Sequence, residues 1–107
     1  MEDKVKIAIE NDGNHDDFCK TFLLIDEDHT LANSLRYLIM KNPDVLFCGY
    51  SIPHPSEAKV NFRIQSKQTP AINILEKGLV DLNSVCDHVL KTFEKSVNEF
   101  KSNKMEI

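Results

Sequence analysis

Histidines, cysteines and carboxylates are the residues of this chain that could do chemistry. The histidines are His15, His29, His54 and His88, and the cysteines are Cys19, Cys48 and Cys86. Nucleophilic catalysis needs a nucleophile, a base and an orienting group within reach of one another. No two histidines have the H-x-x-x-H spacing of a zinc helix, and no histidine neighbours Cys48 in sequence. The run Asp26-Glu27-Asp28 has the oxygen ligands for Mg²⁺. It also directly precedes a helical pattern, where carboxylates complement the positive end of the helix dipole. Glycine stands only at 13, 49 and 78, so no glycine-rich phosphate loop forms. These residues read as caps, turns and core, and no catalytic residue, metal site or cofactor is expected. Two arginines, Arg36 and Arg63, offer the planar fork that anchors interfaces. His54 lies between Pro53 and Pro55 in a rigid turn, either a contact point or simply a stiff loop.

The elements that position these residues follow from periodicity. Lys4 to Ile9 alternates as a half-buried strand, with Val5, Ile7 and Ile9 pointing one way and Lys4, Lys6 and Ala8 the other. Asn11-Asp12-Gly13-Asn14 is a turn, and Phe18 to Ile25 is a second strand, antiparallel to the first. Thr30 is placed as the N-cap of a helix from Leu31 to about Lys41, with Leu31, Leu35, Leu38 and Ile39 on its apolar face. Pro43 ends it. Val45–Ile52 and Lys59–Ser66 form a hairpin, the latter with Val60, Phe62 and Ile64 inward. The order ββαββα predicts an α+β fold: a small antiparallel four-stranded sheet with two helices on one face and a long C-terminal helix.

That last helix dominates the pattern. Thr69 caps it, Pro70 opens it, and apolar residues recur at Ile72, Leu75, Leu79, Leu82, Cys86, Val89, Phe93, Val97 and Phe100, widened by Val85 and Leu90. From Ile72 to Phe100 it spans about 44 Å. A compact chain of this size is roughly 34 Å across. Four bare large apolar side chains forfeit about 6–12 kcal/mol, comparable to a domain's whole stability of ~5–15 kcal/mol. Another protein is the natural cover; the alternative is a break near Gly78 that folds the helix back on its own core.

Composition sets the outer bounds. The chain has 107 residues, 41% hydrophobic and 28% charged, enough for one globular domain over 1–107. Its net charge of −4 disfavours a phosphate-binding face, so no direct sequence-specific nucleic acid contact is expected. Met1-Glu2-Asp3-Lys4 lacks a signal h-region, and no apolar run is long enough for a membrane span. Three cysteines without metal or redox spacing fit a reducing compartment, cytosol or nucleus.

Glu27-Asp28-His29-Thr30-Leu31-Ala32-Asn33-Ser34-Leu35-Arg36 resembles the signature of the small α-like subunits of eukaryotic and archaeal RNA polymerases, counterparts of the bacterial α N-terminal domain. Asn42-Pro43-Asp44-Val45, the stretch Phe47 to Glu57 with its Pro53-His54-Pro55 turn, Lys59 to Gln65, Leu75 to Leu79 and Cys86-Asp87 resemble the form shared by RNA polymerases I and III. The likeness covers about Val5 to Phe93. It implies a non-catalytic assembly subunit in the nucleus, nucleolus and nucleoplasm included. Its partner would be a larger α-like subunit, and the heterodimer would scaffold the two large catalytic subunits. The implied interface is Leu31, Asn33, Leu35, Arg36, Leu38 and Ile39 with Leu79, Leu82, Cys86, Val89, Phe93 and Val97, divided between core and partner. The distal half of the long helix is its centre. One departure is Ala32, where the family pattern usually has glycine; if that glycine faces the partner, Ala32 places a methyl in the interface. The short termini fit a minimal version of the family. A free-standing ligand or enzyme domain using Cys48 or His54, and an unrelated homodimeric helix-pairing module, are the other readings.

Overall fold

The computed structural model describes residues 6–10 and 16–105. Six elements follow in order: β1 (Ile7–Ile9), β2 (Cys19–Ile25), α1 (His29–Met40), β3 (Val45–Ser51), β4 (Lys59–Ser66) and α2 (Ala71–Met105). The strands form one antiparallel sheet in the order β1-β2-β4-β3. Each expected hairpin is present, and β2–β4 pairing joins them, with Phe22 opposite Phe62 and Leu24 opposite Val60. The turn expected at residues 11–14, and Val5 of the first strand, lie outside the described residues.

Both helices cover one face. Phe22 and Leu24 of β2, with Val60, Phe62 and Ile64 of β4, are sealed beneath Ala32, Leu35 and Ile39 of α1 and Ala71, Ile74 and Leu75 of α2. The alternation of β4 therefore holds as expected, because one face meets helices and the other does not. The first strand is different. Ile7 and Ile9 stand opposite Leu24 and Phe22, hence on the helix side, yet they are 39% and 53% exposed. The helices reach the sheet through α1 on β3 and α2 on β4 and β2, so β1 extends past the layer that would bury it.

The caps differ from the expected positions. Asp28, not Thr30, is the N-cap of α1; its extended backbone (φ −145°, ψ −164°) aims its carboxylate at the Thr30 N–H, 2.9 Å away. Thr30 already lies inside the helix. Before α2, Thr69 serves the preceding loop. Its N–H donates to Asp44 Oδ2 at 2.7 Å, Gln68 N–H donates to Asp44 Oδ1 at 3.0 Å, and the Thr69 hydroxyl also bonds Asp44. The C=O of Pro70 accepts from Ile74 N–H at 3.2 Å, and Asp17 C=O takes Ala71 N–H at 2.8 Å. The helix start is thus held by two distant aspartates, one through its side chain and one through its backbone.

Helix α2 runs unbroken for 35 residues, about 52 Å. The molecule is correspondingly elongated, 67 × 34 × 27 Å, with a radius of gyration of 18.1 Å against ~13 Å for a compact chain of this length. Gly78 does not break the helix. It is buried where α1 crosses α2, and a Cβ built there would lie 2.6 Å from Ile39 Cγ1 and 3.1 Å from Leu35 Cδ1. Glycine is needed here for close approach of two helices rather than for an unusual backbone angle.

Candidate partner interface

Most of the described residues that could do chemistry have structural occupations; His15 lies outside the described residues. Asp28 caps α1, Glu27 pairs with Lys6 at 2.8 Å, and Asp26 turns the chain out of β2 with φ 61°, a left-handed conformation that aspartate tolerates better than most residues. Hydrogen bonds from Thr30, led by its backbone N–H, hold the Asp28 carboxyl below its ordinary value. His29 Nδ1 meets the Tyr50 hydroxyl at 2.9 Å, and Tyr50 stacks on Phe62. Cys48 is buried in the core, and that burial pushes its thiol up to about 12, with the nearby Arg36 charge opposing. A thiol so placed is a small core side chain, not a nucleophile. His54 sits in the exposed turn between β3 and β4, and His88 is exposed on α2. No disulfide joins Cys19, Cys48 and Cys86. Among the described residues no group of His, Cys, Asp and Glu is arranged to hold a metal ion, and no helix is long and apolar enough to cross a membrane.

The chemistry that remains is apolar and lies on the helices. Around the Gly78 crossing, α2 buries Ala71, Ile74 and Leu75, and its Leu79 and Leu82 pack half-buried at the edge of the core. Beyond Leu82 the same stripe leaves the sheet, and past Cys86 no α1 residue lines it. Val85 (46% exposed), Val89 (59%), Leu90 (55%), Phe93 (65%) and Phe100 (66%) stand in solvent, with Cys86 exposed and Val97 half-buried among them. Polar residues occupy the opposite side, where Lys91 pairs with Asp87 at 3.0 Å. Solvated i,i+4 pairs of this kind contribute little, ~0.3–0.5 kcal/mol.

Helix α1 adds a second wall. A groove of about 460 Å³ between α1 and α2 is lined by Asn33, Ser34, Tyr37, Leu38, Leu82, Val85 and Cys86. It opens toward the bare stripe. Of the α1 residues expected at the interface, Leu35 and Ile39 are in the chain's own core, Leu31 and Leu38 are half-buried, and Asn33 and Arg36 are exposed. Arg36 is also committed inward, since its Nε donates to Cys48 C=O on β3 at 3.1 Å. Ala32 is fully buried on the sheet-facing side of α1. Its methyl packs in the chain's own core, so the condition attached to the family glycine, that this position faces the partner, is not met in the lone chain.

Tyr37, which sequence reasoning did not single out, is 62% exposed on α1 and lines the groove. Its signal was a large aromatic residue on the side of α1 opposite the expected apolar face, where a singly buried helix carries polar residues. The structure brings Asn33, Leu38, Leu82 and Cys86 together around the groove and leaves Val89, Phe93 and Val97 on the projecting arm.

Comparison with known proteins agrees with this geometry. Residues 19–92 match the family model described as the RNA polymerase Rpb3/Rpb11 dimerisation domain. The chain is 61% identical over 87 residues to the DNA-directed RNA polymerases I and III subunit RPAC2 of Danio rerio, covering 80% of this chain and 78% of that protein. It is 58% identical over 88 residues to the protein of the same name from Schizosaccharomyces pombe, covering 81% and 70%. Its fold is that of DNA-directed RNA polymerase subunit L from Thermoplasma acidophilum, with a TM-score of 0.74 at 19% identity over 90% of this chain and 92% of that one. The exposed helical stripe, the α+β layer that carries it and the match over residues 19–92 converge on one statement: the chain belongs to the RNA polymerase Rpb3/Rpb11 dimerisation-domain family.

Proposed function

We propose that the chain is the small α-like subunit of RNA polymerases I and III and acts by pairing with a larger α-like subunit. The observation that carries this reading is the apolar stripe of α2 from Val85 to Phe100, which the chain's own core does not cover. The names of the relatives support the assignment to polymerases I and III. Leu31, Asn33, Arg36 and Leu38 on α1, with Leu79, Leu82, Cys86, Val89, Phe93 and Val97 on α2, form the contact. Leu35 and Ile39 serve it from beneath by fixing α1 against Gly78. The pair then acts as a platform for the two large catalytic subunits in transcription of rRNA, 5S rRNA and tRNA genes. The chain supplies no catalytic group or cofactor of its own, and its place is the nucleus, in nucleolus and nucleoplasm. Arg36 and Asn33 set register at the polar border while the apolar stripe supplies the affinity.

The test is size-exclusion chromatography with light scattering on the chain alone and co-expressed with the larger α-like subunit. A one-to-one complex, with the lone chain self-associating or aggregating, is the expected result. A monomer indifferent to that subunit overturns the proposal.

A further inference from the structure

The helix-bearing side of the sheet has a second apolar surface, on the side of α2 away from α1. It is formed by Ile7, Ile9, Phe18 and Ile72, each about a third to a half exposed, with Lys20 half-buried on the same side of β2 between Phe18 and Phe22. Ile7 and Ile9 share the helix side with Leu24 and Phe22, their partners in the ladder. Phe18 stands beside the first turn of α2, since its own C=O accepts from Ser66 N–H and the adjoining Asp17 C=O accepts from Ala71 N–H. Because α1 lies over β3 and the sheet order is β1-β2-β4-β3, α2 separates this shelf from the groove described above.

The shelf is not isolated. At ~100° per residue, Ile72, Leu79, Leu90 and Val97 fall within about 20° of one another around α2. They form one line that begins at the shelf and runs into the projecting stripe, about 38 Å from end to end. Glu76 and Glu94 lie in a second line roughly 50° further around the helix, at its solvent border, with Asp87 between them already paired to Lys91.

We propose that this shelf is a second docking surface for the larger α-like subunit, taking an apolar helix of that partner laid along α2 on the side away from α1. The proposal rests on the pairing proposed above and extends it: α2 is gripped from two sides rather than one. Continuity of the Ile72–Leu79–Leu90–Val97 line with the bare stripe identifies the occupant. Glu76 and Glu94 on the border favour an apolar face edged with lysine or arginine.

The test uses the chain co-expressed with the larger α-like subunit. In one arm Ile7→Glu and Ile9→Glu are combined, and Phe93→Asp serves as reference. The double variant is expected to weaken the complex about 10–100-fold, and Phe93→Asp to abolish it. In a second arm Ile9→Cys is alkylated and followed by peptide mass, and is expected to react about tenfold more slowly in the complex than in the chain alone. This arm decides the matter if the double glutamate variant does not fold. Native affinity of the double variant with full-rate alkylation in an intact complex overturns the shelf proposal and leaves the pairing standing. Native pairing by Phe93→Asp as well overturns the pairing itself. Protection of Ile9→Cys in the lone chain at dimer concentration, unchanged by the larger subunit, would make a second copy the occupant and also overturn the proposal.

Discussion

Gly78→Ala is the substitution whose sign separates this structure from its alternatives. In an open helix the change is favourable by about 1 kcal/mol, because alanine is the better helix former. At the α1–α2 crossing the new methyl would meet Ile39 Cγ1 at 2.6 Å, Ile39 Cδ1 at 2.9 Å and Leu35 Cδ1 at 3.1 Å. Carbon atoms rest at about 3.5–4.0 Å, so the helices must separate by close to 1 Å or two side chains must leave their rotamers. Ile39 and Leu35 are 2% and 0% exposed and have nowhere to turn. Overpacking of this kind costs ~1–3 kcal/mol. Offset by the propensity gain, the net is a loss of about 1 kcal/mol. The sharper readout is a double-mutant cycle with Ile39→Ala, which alone costs ~2–5 kcal/mol. In that background the clash with Ile39 is gone, and Gly78→Ala should stabilise the chain. Urea unfolding followed by circular dichroism at low protein concentration gives all four corners. A gain of about 1 kcal/mol from Gly78→Ala in the native background, or strict additivity in the cycle, refutes the close crossing and reopens a rearranged α2.

Three further outcomes are expected. Phe93→Asp should abolish pairing with the larger α-like subunit, since it would place an unpaired charge in a dehydrated contact, whereas Lys95→Ala on the polar side should leave it intact; co-purification of Phe93→Asp at native yield would misplace the interface. At pH 8 Cys86 should be alkylated in the folded chain and protected in the complex. Cys48, buried and with its thiol raised to about 12, should react only on unfolding; labelling of Cys48 at its unfolded rate would contradict its packing. The Thr69 hydroxyl, then its N–H, hold the Asp44 carboxyl below its ordinary 3.8. A depressed carboxyl stabilises the fold above the unfolded value and loses that contribution as pH falls through the folded one. Asp44→Asn should therefore lower the thermal midpoint at pH 7 and flatten its decline below about pH 4; an acid profile identical to that of the native chain would remove Asp44 from the junction.

Much of this architecture is legible in the chain because its elements are locally encoded. Val60, Phe62 and Ile64 alternate, and the strand they predict is buried on that face. The spacing from Ile72 to Phe100 predicts one helix, and one helix is present. Errors arose where a local signal had two solutions. Asp28 and Thr30 are both good caps, and the extended backbone at Asp28 decides between them. Thr69 is a reasonable cap until Asp44, 25 residues earlier, takes both its N–H and its hydroxyl. Leu35 and Phe93 are alike in sequence terms, one in the core and one in solvent.

The sequence by itself determined the order of the elements, their periods and the excess of apolar surface over what so short a chain can bury. Those properties depend on neighbours within a turn or two of the backbone, which any local reading captures. Tertiary structure alone decided which part of the excess stays bare. It paired β2 with β4, set α1 on α2 at Gly78 and left β1 beyond the reach of both helices. Covering a face is a matter of where distant segments end up, and periodicity records only that a face exists.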